Sequence, residues 1–219
     1  MTPEAHPIRH RFEDFHGILT GQENWTDEHR RNNARYAPGL AVEEYSFAFT
    51  TGLGMYASGL LSPIGWLRQD AAARWHKRIA AKYPLDLPFS LVGHSYGTWL
   101  IQGMLWRHTE IRPRAVVLVG SVLSSHFAST RWGAILDRGQ VDRLLVLWSP
   151  HDWIVDDLSQ PIFGKKSFGH LGSRGFVDGI PPRLVTRIRQ VQTEESHTSY
   201  WSENRAPLYF DIINQFCAS

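Results

Sequence analysis

Residues 91–100 read LVGHSYGTWL. A short apolar run ends at Gly93, Ser95 stands between Gly93 and Gly97, and an apolar helix-like run follows at once. FSLV (89–92) supplies a buried strand and TWLIQGMLW (98–106) a helix. A serine at such a corner sits on a tight turn with its hydroxyl projecting from the sheet, and a Cβ at the neighbouring positions would collide with adjacent backbone. The helix N-terminus adds N–H groups and the positive end of a dipole, which favour developing negative charge. In this context the serine reads as presented for chemistry, not as an incidental member of a glycine turn.

A serine hydroxyl is a poor nucleophile at neutral pH, so it needs a base, and the base needs an acid to orient it. On a strand–elbow–helix framework those partners follow in the order acid, then histidine. The best acid after Ser95 is Asp152, which follows the apolar run 144–148 by a short turn in SPHDWIV (149–155). Asp156 and Asp157 lie further along and suit a helix cap or a solvated position. Two histidines follow Asp152. His170 lies in a glycine-rich stretch with no strand before it, whereas His197, in HTSYW (197–201), follows the last strand candidate and precedes the last helix. His197 is therefore the candidate base. His151, beside the acid, reads as loop structure, and His16, His94 and His126 as packing or supporting residues.

Acyl transfer develops an oxyanion that needs two donors already in place. The backbone N–H of Tyr96, next to the nucleophile, supplies one. The loop HGILTGQENW (16–25) offers the other at Ile18, with Gly17 permitting the turn. The dipeptide His16–Gly17 alone is equally compatible with a plain turn.

Around these motifs, strand candidates span 8–15, 42–49, 89–92, 115–120, 144–148 and 187–193. Helix candidates span 25–36, 69–82, 96–106, 129–136 and 207–217. This alternation predicts an α/β fold, a mostly parallel central sheet of about six strands with helices on both faces. The first strand carries several charges although it belongs inside such a sheet. Leu184, Ile188 and Val191 are spaced as well for a helix as for a strand. The Gly- and Pro-rich segment 158–183 reads as one long loop near the site, of a length that is often functional.

The 219 residues, 42% hydrophobic and 20% charged, fit a single globular domain over 1–219. A net charge of +2 without charge runs gives no reason to expect a nucleic-acid partner. The one cysteine, Cys217, allows no intrachain disulfide, which makes a reducing cytoplasm the default location, although a disulfide-free secreted enzyme is compatible. Charges within the first fifteen residues argue against a signal peptide, and no apolar run approaches transmembrane length.

Taken together, HGILTGQENW, GHSYG, SPHDWIV and HTSYW resemble, in that order, the oxyanion loop, nucleophile elbow, acid loop and histidine loop of α/β-hydrolases of the esterase/lipase type. The resemblance runs from Phe15 to Trp201. It implies a sheet lacking that family's first two antiparallel strands, and catalytic roles for Ser95, Asp152 and His197 with Ile18 and Tyr96 as oxyanion donors. It also implies hydrolysis of a small-molecule carboxylic ester with no metal or organic cofactor. Thioesterase, lactonase and acyltransferase activities use the same residues. A non-catalytic receptor that keeps the pocket is the alternative from another class. The serine nucleophile argues against the family's dehalogenases and epoxide hydrolases. Residues 121–143 have room for one short helix and no cap domain, so the expected cleft is open, edged by Phe127 and Trp153.

Overall fold

Strong apolar runs become the middle of a sheet. The computed structural model describes residues 7–16, 25–45, 65–155 and 169–218. Its strands are β1 (His10–Phe15), β2 (Leu40–Tyr45), β3 (Phe89–His94), β4 (Ala115–Val119), β5 (Arg143–Trp148) and β6 (Ile188–Gln192). They form one six-stranded sheet in the order β2-β1-β3-β4-β5-β6. Every neighbouring pair is parallel. The helices are α1 (Trp25–Tyr36), α2 (Gly65–Ala80), α3 (Tyr96–Arg107), α4 (Trp132–Asp137), α5 (Leu171–Arg174) and α6 (Ala206–Ala218).

Side chains alternate across a strand, so a strand covered on both faces must be apolar throughout. In β4, Val116 and Leu118 join one core with α2, α3 and α4, while Ala115, Val117 and Val119 join the other with α1 and α6. β5 divides the same way, Leu144 and Val146 against Leu145 and Leu147. α3 therefore has little solvent face, and nine of its twelve residues are buried.

The charged strand β1 is buried along its whole length. Its charges are tolerated because each is paired with a neighbour or with a covering helix, since an unpaired buried ion would be strongly destabilising. On one face Glu13 accepts from Arg11 Nη2 at 2.7 Å and from His76 Nδ1 of α2 at 2.9 Å. On the other, Asp14 Oδ2 lies 3.0 Å from His29 Nδ1 of α1.

Two ambiguous stretches resolve differently from each other. Pro182–Arg187 forms a 3-10 helix, and β6 starts directly after it, so helical and strand spacing both apply, in succession. The segment 158–183 is not one irregular loop over its described part. Leu171–Arg174 is a helical turn stitched to the sheet's upper edge, with Ser149 N–H donating to Gly172 O at 2.9 Å and Gly172 N–H to Ser121 O at 2.7 Å. Between β4 and β5 lie only the 3-10 turn Phe127–Ser129 and the six-residue α4. Among the described residues no helix is long and apolar enough to cross a membrane.

Candidate active site

In a parallel sheet all carboxyl ends face one edge, and the expected site residues follow three of them: Ser95 after β3, Asp152 after β5 and His197 after β6. Ser95 has φ 54° and ψ −123°, and it is the only non-glycine residue with positive φ among those described. A side chain tolerates such a backbone only where the surroundings hold it. Here Ser95 N–H donates to Val119 O of β4 at 3.0 Å, and Ser95 O accepts from Thr98 Oγ1 at 2.6 Å. The turn is pressed against β1: a Cβ on Gly97 would stand 2.1 Å from the Phe15 carbonyl oxygen, so only glycine fits there.

His197 and Asp152 are fully buried. Nδ1 of His197 lies 2.9 Å from both carboxylate oxygens of Asp152, so it carries the proton and donates. Asp152 Oδ1 also accepts from Val155 N–H at 3.2 Å, which fixes the carboxylate plane. The other ring nitrogen, His197 Nε2, is buried and has no hydrogen-bond partner. No described residue, Ser95 included, hydrogen-bonds to it. Gly120 (φ +51°), which follows Val119, passes beside the pair: a Cβ there would be 3.1 Å from Asp152 Oδ2 and 3.1 Å from His197 Nδ1.

His94 adds a contact to the histidine loop. Its Nε2 donates to the His197 carbonyl at 2.8 Å, and the two rings lie 4.7 Å apart. Burial, reinforced by the neighbouring His197, holds His94 well below the usual histidine range, so it stays neutral. Trp201 meets His94 edge-on at 5.6 Å and stacks on Trp25 at 4.4 Å, which stacks in turn on His16 at 4.9 Å. The end of β1 and the histidine loop are therefore packed through one aromatic column.

Tyr96 begins α3, where a backbone N–H has no carbonyl one turn back within the helix. Its hydroxyl accepts from Arg68 Nη1 at 3.1 Å. Ile18 and Gly17, like Asp156 and Asp157, lie outside the described residues. His170 precedes α5, and His151 points outward to Glu194 at 3.0 Å. Trp153, next to Asp152, is 54% exposed. Phe127 is not: it is 3% exposed and packs edge-on against Phe176 at 5.1 Å, because the short Phe127–Ser129 turn folds it into the core. Among the described residues no three His, Cys, Asp or Glu side chains gather as a metal site. Cys217 is buried, and burial pushes its thiol up to about 12, which leaves it unreactive.

No family model and no curated protein sequence matches the chain. Solved structures do. A thermostable carboxyl esterase from Bacillus coagulans aligns over 96% of this chain and 90% of its own, with 11% identity and a TM-score of 0.59. A serine hydrolase without a lid from Xanthomonas campestris aligns over 97% and 83%, with 13% identity and a TM-score of 0.54. Human thioesterase 2 aligns over 95% of both chains, with 10% identity and a TM-score of 0.52. These alignments span nearly the whole chain and its parallel sheet, and the protein has the α/β-hydrolase fold.

Proposed function

We propose that the protein is a serine hydrolase that cleaves carboxylic esters through an acyl-enzyme. The observation that carries this reading is the Asp152–His197 pair, whose hydrogen bonds leave a buried, unpartnered Nε2 at the same sheet edge as the strained Ser95. His197 Nε2 takes the Ser95 proton as Oγ attacks the ester carbonyl carbon. Asp152 keeps Nδ1–H oriented and stabilises the imidazolium. The backbone N–H groups of Tyr96 and Ile18 receive the oxyanion. When the tetrahedral intermediate collapses, the alkoxide leaves with the proton from Nε2. Water then enters, gives its proton to Nε2 and releases the acid, restoring Ser95. Thioesters enter the same sequence with a thiolate as leaving group, and similarity to a thioesterase as well as an esterase keeps that substrate class beside oxygen esters.

A fluorophosphonate probe followed by intact-mass measurement tests the reading. One adduct on the wild-type chain and none on Ser95→Ala is the expected result. A folded wild-type protein that fails to label, as a receptor with an unactivated serine would, overturns it.

A further inference from the structure

The carbonyl oxygen of Ser95 takes two donors from one residue, Thr98 N–H at 3.1 Å and Thr98 Oγ1 at 2.6 Å. Thr98 Oγ1 in turn lies 2.9 Å from Ser121 Oγ, which lies 3.3 Å from the Leu123 nitrogen. Thr98 and Ser121 are both fully buried. The direction of each proton follows from the two ends, because a carbonyl can only accept and an N–H can only donate. Thr98 therefore gives its hydroxyl proton to Ser95 O, Ser121 gives its own to Thr98, and Leu123 N–H donates to Ser121. The chain runs one way, and it stops at the peptide bond between Ser95 and Tyr96.

A trans peptide is planar, so its N–H points opposite to its carbonyl. Holding Ser95 O thereby aims the N–H of Tyr96. Donors on a peptide oxygen also draw charge from its nitrogen, which makes the N–H a stronger donor, and successive hydrogen bonds reinforce one another in this way. A threonine in a helix often returns its hydroxyl to a carbonyl one turn back. Here that carbonyl belongs to the residue with the strained backbone, and the hydroxyl is itself held by Ser121. Ser121 follows Gly120, which passes beside Asp152 and His197, so one loop touches both halves of the site. We propose that Thr98, backed by Ser121, is a positioning residue for the oxyanion, aiming and strengthening the Tyr96 N–H that receives it. The inference rests on the serine hydrolase reading above.

The test compares, in the full chain, Thr98→Val, which keeps the shape and removes the hydroxyl, with Thr98→Ser, which keeps the hydroxyl. With p-nitrophenyl butyrate, kcat of Thr98→Val should fall about five- to tenfold at little changed KM, the scale of one neutral hydrogen bond. Thr98→Ser should recover most of the loss. Ser121→Ala, which leaves the last link in place, should lose about twofold. An infrared measurement separates this role from a purely structural one. In the carbamoyl-enzyme formed with a p-nitrophenyl N-methylcarbamate, ¹³C-labelled at its carbonyl, hydrogen bonds from the oxyanion donors lower the carbonyl stretching frequency. The band should rise in Thr98→Val and hold near the wild-type position in Thr98→Ser. If Thr98→Val does not fold, Ser121→Ala carries the same measurement, with a smaller rise expected. An unmoved band overturns the proposal even where kcat falls, because Thr98 would then only hold the turn together. Turnover by Thr98→Val equal to wild type overturns it as well. A folded wild type that neither hydrolyses the ester nor takes the fluorophosphonate overturns the hydrolase reading itself, whereas a labelled wild type with an unmoved band in the variant overturns this inference alone.

Discussion

Nε2 of His94 donates a hydrogen bond to the backbone carbonyl of His197 across 2.8 Å. The residue before the candidate nucleophile thereby holds the loop that carries the candidate base. Replacing it with phenylalanine keeps a ring against His197 and Trp201 but removes the donor. A neutral hydrogen bond contributes about 1 kcal/mol, so kcat of His94→Phe should fall by about five- to tenfold with KM little changed. Glutamine, which restores a donor, should recover part of the loss. A rise in KM with kcat intact would mean that His94 shapes the substrate pocket instead.

If Ser95 and His197 act as one unit, losing either should cost about as much as losing both. Ester turnover by Ser95→Ala and His197→Ala should each fall by several orders of magnitude, and Asp152→Asn by roughly 10⁴-fold through the wrong imidazole tautomer. His170→Ala, at a histidine that makes no hydrogen bond to Asp152, should stay near wild type. A larger loss in His170→Ala than in His197→Ala would reverse the assignment of the base.

The backbone at Ser95 stores strain that glycine does not feel. Ser95→Gly should therefore abolish activity yet melt about 2–4 °C higher, corresponding to about 1 kcal/mol in a chain of this size. Ser95→Ala, which keeps the Cβ, should not share the gain. Equal stabilisation by both variants in calorimetry would assign the effect to the lost hydroxyl.

Acid should destabilise the fold before its carboxylates are titrated. Burial, with help from Arg114, pushes His10 down to about 4, and His94 is also held low by burial. In the unfolded chain both take up protons near pH 6.5, so between about 6.5 and 4 the unfolded state binds more protons and stability rises with pH. The melting temperature should be level above about pH 7 and fall steadily from about 6.5 towards 4.5. His10→Asn should flatten that slope. A melting temperature constant across this window would show that the histidines are not buried in their neutral form.

The proposed cleft, with Trp153 at its edge, should make little use of long acyl chains. With only short helical turns between β4 and β5, binding energy should stop growing with acyl length. Short-chain p-nitrophenyl esters, acetate to hexanoate, should be turned over faster than palmitate, with no jump in rate at the micellar threshold. A jump there would reveal a lid.

The elements that could be read from sequence were those whose burial is written in neighbouring residues. AVVLV and RLLVLW leave no doubt about β4 and β5, and the run after Ser95 could only be a covered helix. What escaped depends on partners far along the chain. Nothing local in HRFEDF says that His76 and His29 will be packed as hydrogen-bond partners of its acids. His94 could not be connected to a carbonyl at residue 197 before the sheet brought them together. Phe127 was misplaced because an aromatic residue serves a cleft rim or a core equally well, and only the tight turn at Phe127–Ser129 decides.

The polarity of β1 also matters before the fold is complete. Arg11 stands opposite Phe89 in the finished sheet, so β1 cannot acquire its second neighbour until a long stretch of chain has been looped out. Such distant pairings slow folding and leave strand edges exposed while they form. An apolar strand waiting in that state would be a template for other copies of the chain. A strand reading HRFEDF, with charges on both faces, is a poor one. The same side chains that become buried ion pairs in the native sheet keep this strand from pairing with its neighbours in solution.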